Sequence, residues 1–110
     1  MKLTIPVGTT RKQVVTIQFG QNDLEGQPLV TIWSICGPAD EKNAAALLRY
    51  NNTVVHGAFA VRNIEGQDRV VLQANLVAGA LNPPEVGRIL SAIAWQADKV
   101  EQQLVGTDEN

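Results

Sequence analysis

The chain has one His, one Tyr and one Cys, and two of them fall in the stretch "LLRYNNTVVHGAFAV" (47–61), where Tyr50 and His56 flank Asn51 and Asn52. Cys36 ends the apolar run "VTIWSIC". Two chemistries would use these residues: a thiol activated by an imidazole, or a metal site. A zinc centre takes several His or Cys ligands, usually with a pair at short spacing. One His and one Cys with no such partner do not meet that requirement. A nucleophile needs its base within hydrogen-bond reach, so His56 and Cys36 would have to lie on facing strands, which the sequence leaves open. Cys36 reads as a small core residue, and His56 as a solvated or hydrogen-bonded strand residue.

The remaining candidates have structural readings. "GPADEKNAA" (37–45) lacks the glycine spacing and Lys-Ser/Thr pair of a phosphate loop. Asp40 and Glu41 stand where a helix would begin, favourable positions for negative charge. Glu85 falls at a capping position, and Asp98 and Glu101 are expected on the polar side of the last helix. "TTRKQ" (9–13) has two cations but no neighbouring aromatic, so it reads as a strand entrance rather than an RNA-binding surface. No catalytic, cofactor-binding or metal residue is assigned, and a non-enzyme is expected.

These residues must be positioned by a single domain. A chain of 110 residues buries roughly 60–70% of its unfolded surface, enough for one sheet layer and one helix layer. With 45% hydrophobic and 18% charged residues it belongs among globular chains. Nine basic against eleven acidic residues give a net charge of −2, too balanced to favour nucleic acid. No apolar run reaches the roughly 20 residues that span a bilayer, and the first residues lack the apolar core of a signal peptide. A cytoplasmic location without membrane contact is expected.

"LTIPV" (3–7) is a short strand that Pro6 places at an edge or strand end. In "KQVVTIQF" (12–19), Val15, Ile17 and Phe19 alternate with Thr16 and Gln18 as in a half-buried strand. "GQNDLEG" (20–26) is a turn. "PLVTIWSIC" (28–36) is apolar on both faces and looks central, with Leu29, Trp33 and Ile35 sharing one face. Gly37-Pro38 ends it, and Asp40 caps a helix whose buried stripe runs Ala44, Leu47, Leu48, Asn51. From 54 to 62 the period returns to two: Val55, Gly57, Phe59 and Val61 on one face, His56, Ala58, Ala60 and Arg62 on the other. "NIEGQD" (63–68) turns the chain into "RVVLQANLV", where Val70, Leu72, Ala74 and Leu76 point inward and Gln73 and Asn75 outward. "NPPE" (82–85) opens the final helix with Asn82 as cap and Glu85 completing a capping box. Val86, Ile89, Leu90, Ile93, Ala97, Val100 and Leu104 form its apolar stripe. The sequence therefore predicts an α+β domain over 1–105 in the order β-β-β-α-β-β-α, a mainly antiparallel sheet of about five strands covered by two helices, and a disordered tail at 106–110.

The second half carries a further signal. A helix ending in "LLRYNN", the strand "HGAFAV", a polar turn, the strand "VVLQANLVAG" and a long helix opened by "LNPPEVGRIL" resemble the YbjN-like family over residues 28–104. Members of that family share the fold of the class I type III secretion chaperones, the Tir-chaperone-like fold. The resemblance implies a non-enzymatic, often dimeric protein-binding domain, and carries no site residue with it. Chaperones of that fold begin with an amphipathic helix, whereas this chain starts with "LTIPVGTT".

Two surfaces are candidates for such binding. Trp95 lies opposite the apolar stripe of the last helix, in line with Arg88, Lys99 and Gln102, and Trp is enriched at interface hot spots. His56, Ala58 and Ala60 with Gln73 and Asn75 would form a flat outer sheet face open to another subunit. The expected function is a protein-interaction domain, chaperone-like or regulatory, acting as a homodimer or on a protein partner. The alternative is a small-ligand regulatory module with a pocket near Trp33, Tyr50 and His56.

Overall fold

Period-two strands that each own one apolar face fold by stacking those faces into one sheet and covering them with an amphipathic helix. The computed structural model describes the backbone of residues 1–108 and the side chains of residues 1–104. Its elements are β1 (Lys2–Pro6), β2 (Lys12–Asn22), β3 (Pro28–Pro38), α1 (Glu41–Tyr50), a 3₁₀ turn (Asn51–Thr53), β4 (Ala58–Ile64), β5 (Gln67–Val77), a second 3₁₀ turn (Ala78–Ala80) and α2 (Pro83–Asp108). The fold is α+β, and the element order is the expected one.

The five strands form one antiparallel sheet in the order β1-β2-β3-β5-β4. The apolar β3 is central, and β1, with its proline, is an edge. Val15, Ile17, Val30, Ile32, Phe59, Val70 and Leu72 line the helix-covered side of the sheet, and Ile93, Ala94, Ala97 and Val100 of α2 join them in one core. A fully buried aliphatic side chain such as Ile32 or Ile93 stabilises the fold by about 1.5–3 kcal/mol relative to exposure. α1 packs over β4 on the same side, with Ala44 and Leu47 beside Phe59 and Val70.

Both helix starts carry the cap residue their sequences dictate, but the capping box expected at Glu85 does not close, because its carboxylate takes the Asn82 side-chain N–H instead of the backbone one. Asp40 accepts from the Asn43 N–H at 2.7 Å, and the Asn43 side chain accepts from the Asp40 N–H at 2.8 Å. At α2, Asn82 Oδ1 accepts from the Glu85 N–H at 3.0 Å and its Nδ2 donates to Glu85 at 3.2 Å. Each cap satisfies backbone donors that the first helical turn leaves open.

Several positions depart from the sequence-based expectation. Phe19 is 61% exposed, because β2 takes an extra residue between Gln18 and Gln21 opposite Thr31 and Leu29, around Gly20 at φ 91°. The bulge takes Phe19 out of the inward alternation. β4 begins at Ala58 rather than near Val54, so Val55 is solvent-exposed and His56 sits in a bend, not on a strand. Leu48 is exposed as well; α1 buries only a narrow flank against β4. Asn51, the last position of the expected buried stripe, ends α1 in the right-handed region at φ −54°, and the chain tightens into a 3₁₀ turn there. α2 continues to Asp108, beyond the boundary at 105; residues 109 and 110 of the expected tail lie outside the described residues.

Candidate functional site

With both helices on one side, alternation along each strand assigns a set of side chains to the other side, where no described helix lies over them, although neighbouring side chains bury Thr31 and Val71. Register places Val14 and Thr16 of β2, Thr31, Trp33 and Ile35 of β3, and Val71, Gln73 and Asn75 of β5 on this outer face. β4 adds Ala58 opposite Gln73, Ala60 opposite Val71 and Arg62 opposite Arg69. Of the predicted outer-face residues, the structure brings Ala58, Ala60, Gln73 and Asn75 together. His56 is not among them: Gly57, at φ 76°, lies against β5 so closely that a Cβ there would meet the Gln73 carbonyl at 2.6 Å, and the chain before it leaves the sheet.

Trp33 lies at the centre of the face. The Arg62 guanidinium sits over its ring, 4.9 Å from the centroid, and Arg62 Nε donates to Gln73 Oε1 at 3.3 Å. Arg62 can lie across β5 to reach β3 because Ala58 and Ala60 beside it are small. A stacked cation of this kind contributes about 0.5–2 kcal/mol. Further along, the Thr31 hydroxyl is shared between Asn75 Oδ1 at 2.8 Å and Gln21 Oε1 at 2.9 Å. Val14, at 50% exposure, with Ile35 and Val77, leaves apolar surface in water around these polar contacts.

The second surface is on the helix side. Trp95 is 52% exposed and forms one wall of a groove of about 630 Å³ with Val7, Ala92, Asp98, Lys99 and Gln102. Arg88 lies on the same line of α2 but outside the groove. Trp95 thus shares the groove with Lys99 and Gln102, and the two candidate surfaces are on different sides of the sheet.

Asp98 corrects its placement on the polar side of the helix, for it is only 4% exposed. Arg11, from the β1–β2 connection, grips it with Nη2–Oδ1 at 2.8 Å, Nε–Oδ1 at 3.1 Å and Nε–Oδ2 at 3.3 Å. Gln102 Nε2 donates to Oδ2 at 2.7 Å. The Arg11 hydrogen bonds hold the Asp98 carboxyl below its ordinary range, against the opposing effect of burial and with Gln102 adding to them. Gln102 is thus engaged in positioning a carboxylate as well as lining the groove.

Cys36 is fully buried under α2, and burial pushes its thiol up to about 12, with the charge of Glu101 adding and a hydrogen bond with the Leu72 backbone opposing. A thiol kept protonated and shut away from solvent is a core group. Among the described residues no three His, Cys, Asp or Glu side chains come together as a metal site. The pocket expected near Trp33, Tyr50 and His56 is not assembled. Tyr50 packs on Phe59 at 5.9 Å between ring centroids, on the helix side, whereas Trp33 points to the outer face. No described helix is long and apolar enough to cross a membrane.

Sequence reasoning missed three pairings: Arg62 on Trp33, Arg11 on Asp98, and a buried set in which Gln13 Nε2 donates to Ser34 Oγ at 3.0 Å and the Ile35 carbonyl at 2.9 Å. Gln13 shares the parity of Val15 and Ile17, a signal that it points inward; its partners lie on another strand and left no local trace. No protein-family model matches the chain, and no curated protein matches it.

Proposed function

We propose that this chain is a non-enzymatic protein-interaction domain, chaperone-like or regulatory, that acts in the cytoplasm as a homodimer. The observation that carries the reading is the one-sided cover of the sheet: α1 and α2 share one face, and the other exposes Val14, Ile35 and Val77 around the Trp33–Arg62 stack. Apolar surface of this kind, interleaved with polar groups, is typical of protein contact sites. The exposed Trp95 beside Lys99 supplies a second contact surface, and we assign the dimer to it. The resemblance of residues 28–104 to the YbjN-like family favours the same reading. The core position of Cys36 and the exposed bend around His56 favour binding over catalysis.

Sedimentation velocity of the wild type and Trp95→Ala at micromolar concentration tests this reading. A dimer for the wild type that shifts to monomer in Trp95→Ala is expected. Monomers for both proteins would sink the homodimer.

A further inference from the structure

We infer that the outer sheet face takes up an acidic, extended peptide segment bearing an apolar anchor residue. This rests on the reading of that face as a protein contact surface and adds the chemistry of the partner. Lys2 faces Thr16 on this side, Lys12 faces Pro6, and Arg62 faces Arg69. Among the described residues the register places four cations on the outer face and no Asp or Glu. This happens in a chain whose net charge is −2, so the sorting of charge between faces runs against the composition. The described acidic residues lie in turns and on the helix side, and the one that reaches the end of the face, Glu101, is 3.5 Å from Gln13 Nε2.

The same face has a place for an apolar side chain. Val14, Trp33, Ile35 and Ile64 line a groove of about 330 Å³ together with Lys2 and Lys12, and Gln13 and Glu101 line it as well, so its charged side chains are two cations against one carboxylate. That is the low end of the size range of small-molecule sites, suited to one anchor residue while flanking carboxylates meet the lysines. The charges also select among occupants. A second copy docked by two-fold symmetry through this patch would set like cations against each other. Single-stranded nucleic acid binds by stacking on open aromatic rings, and the only aromatic ring in this register, Trp33, already carries Arg62.

The test uses Trp95→Phe, in which Trp33 is the only tryptophan and reports on the groove. The probes are an acetylated peptide alternating Glu with Leu, the same peptide with Lys for Glu, and oligothymidylate. The Glu peptide should change Trp33 emission saturably and bind less tightly as salt rises. The double variant Lys2→Glu, Lys12→Glu should weaken it by about tenfold or more with an unchanged thermal melt, since both side chains are exposed. No saturable response, equal binding of the Glu and Lys peptides, or tighter binding of oligothymidylate would each overturn the proposal. So would self-association that depends on Lys12. Every peptide arm carries Trp95→Phe, so the homodimer reading is judged separately, by sedimentation of the wild type and Trp95→Ala.

Discussion

The side chain of Asn51 meets the backbone of Phe59 as a neighbouring strand would: Oδ1 accepts the Phe59 N–H at 2.6 Å, and Nδ2 donates to the Phe59 carbonyl at 3.2 Å. The amide thereby occupies the free edge of β4 at its buried residue, where unpaired backbone groups would otherwise invite another strand. It also ties the end of α1 to the sheet across the loop that contains His56.

Asn51→Asp keeps the acceptor but turns the donor into an oxygen facing a carbonyl. It should destabilise the domain by about 1–3 kcal/mol, the usual cost of an unsatisfied buried group. Asn51→Ala should fall in the same range. Urea unfolding followed by circular dichroism checks both; equal midpoints for variants and wild type would show that the clamp contributes nothing.

Gly57→Ala should be more damaging. Its φ of 76° disfavours any side chain, and the new Cβ would meet both the Gln73 carbonyl at 2.6 Å and Ile93 Cδ1 at 2.9 Å. Backbone strain and overpacking together predict a loss of about 2–4 kcal/mol. Gly26→Ala is the control, for it shares a positive φ of 82° but has open space around it.

Asp98 should make stability depend on pH. Its carboxyl is held low by Arg11, so the folded state binds a proton less readily than the unfolded state. The stabilisation is complete above the ordinary carboxylate range and is lost as pH falls through the lower folded value. Asp98→Asn should therefore lower the melting temperature at neutral pH, and the gap to wild type should narrow in acid. A gap independent of pH would contradict the ion pair as its source.

Cys36 should resist thiol reagents. With no exposed surface and a thiol pushed up to about 12, it should react with a disulfide reagent at mildly alkaline pH only as fast as the chain opens. Reaction at the rate of a free thiol in the native protein would place it outside the core.

Much of this architecture was legible before any coordinates. Val15 and Ile17 announce a strand by their alternation, Asn82 to Glu85 announce a helix start by the types of residue a cap requires, and the Ile93, Ala97 and Val100 stripe identifies the face that closes the core. Phe19 and Val55 misled for a common reason. Each continues a period-two pattern past the point where the backbone stops being regular, at the Gly20 bulge and before the Gly57 crossing. A periodic pattern does not record where a chain bends.

The candidate surfaces divide along the same line. Trp95 was legible as exposed because a single helix, with its caps and its 3.6-residue period, determines which residues oppose its apolar stripe. Likewise Ala58, Ala60, Gln73 and Asn75 share a face by parity within their own hairpin. Element type, element order and cap residues are local properties, as is facing where the backbone stays regular, and the sequence by itself determined them. Which sheet face the helices leave open, that Lys2 and Lys12 stand on it with Arg62, that Arg62 covers Trp33 and that Arg11 reaches Asp98 were decided only by the tertiary structure. Those relationships depend on the register between strands and on packing between residues as far apart as Arg11 and Asp98, 87 positions, and no local preference encodes such distances.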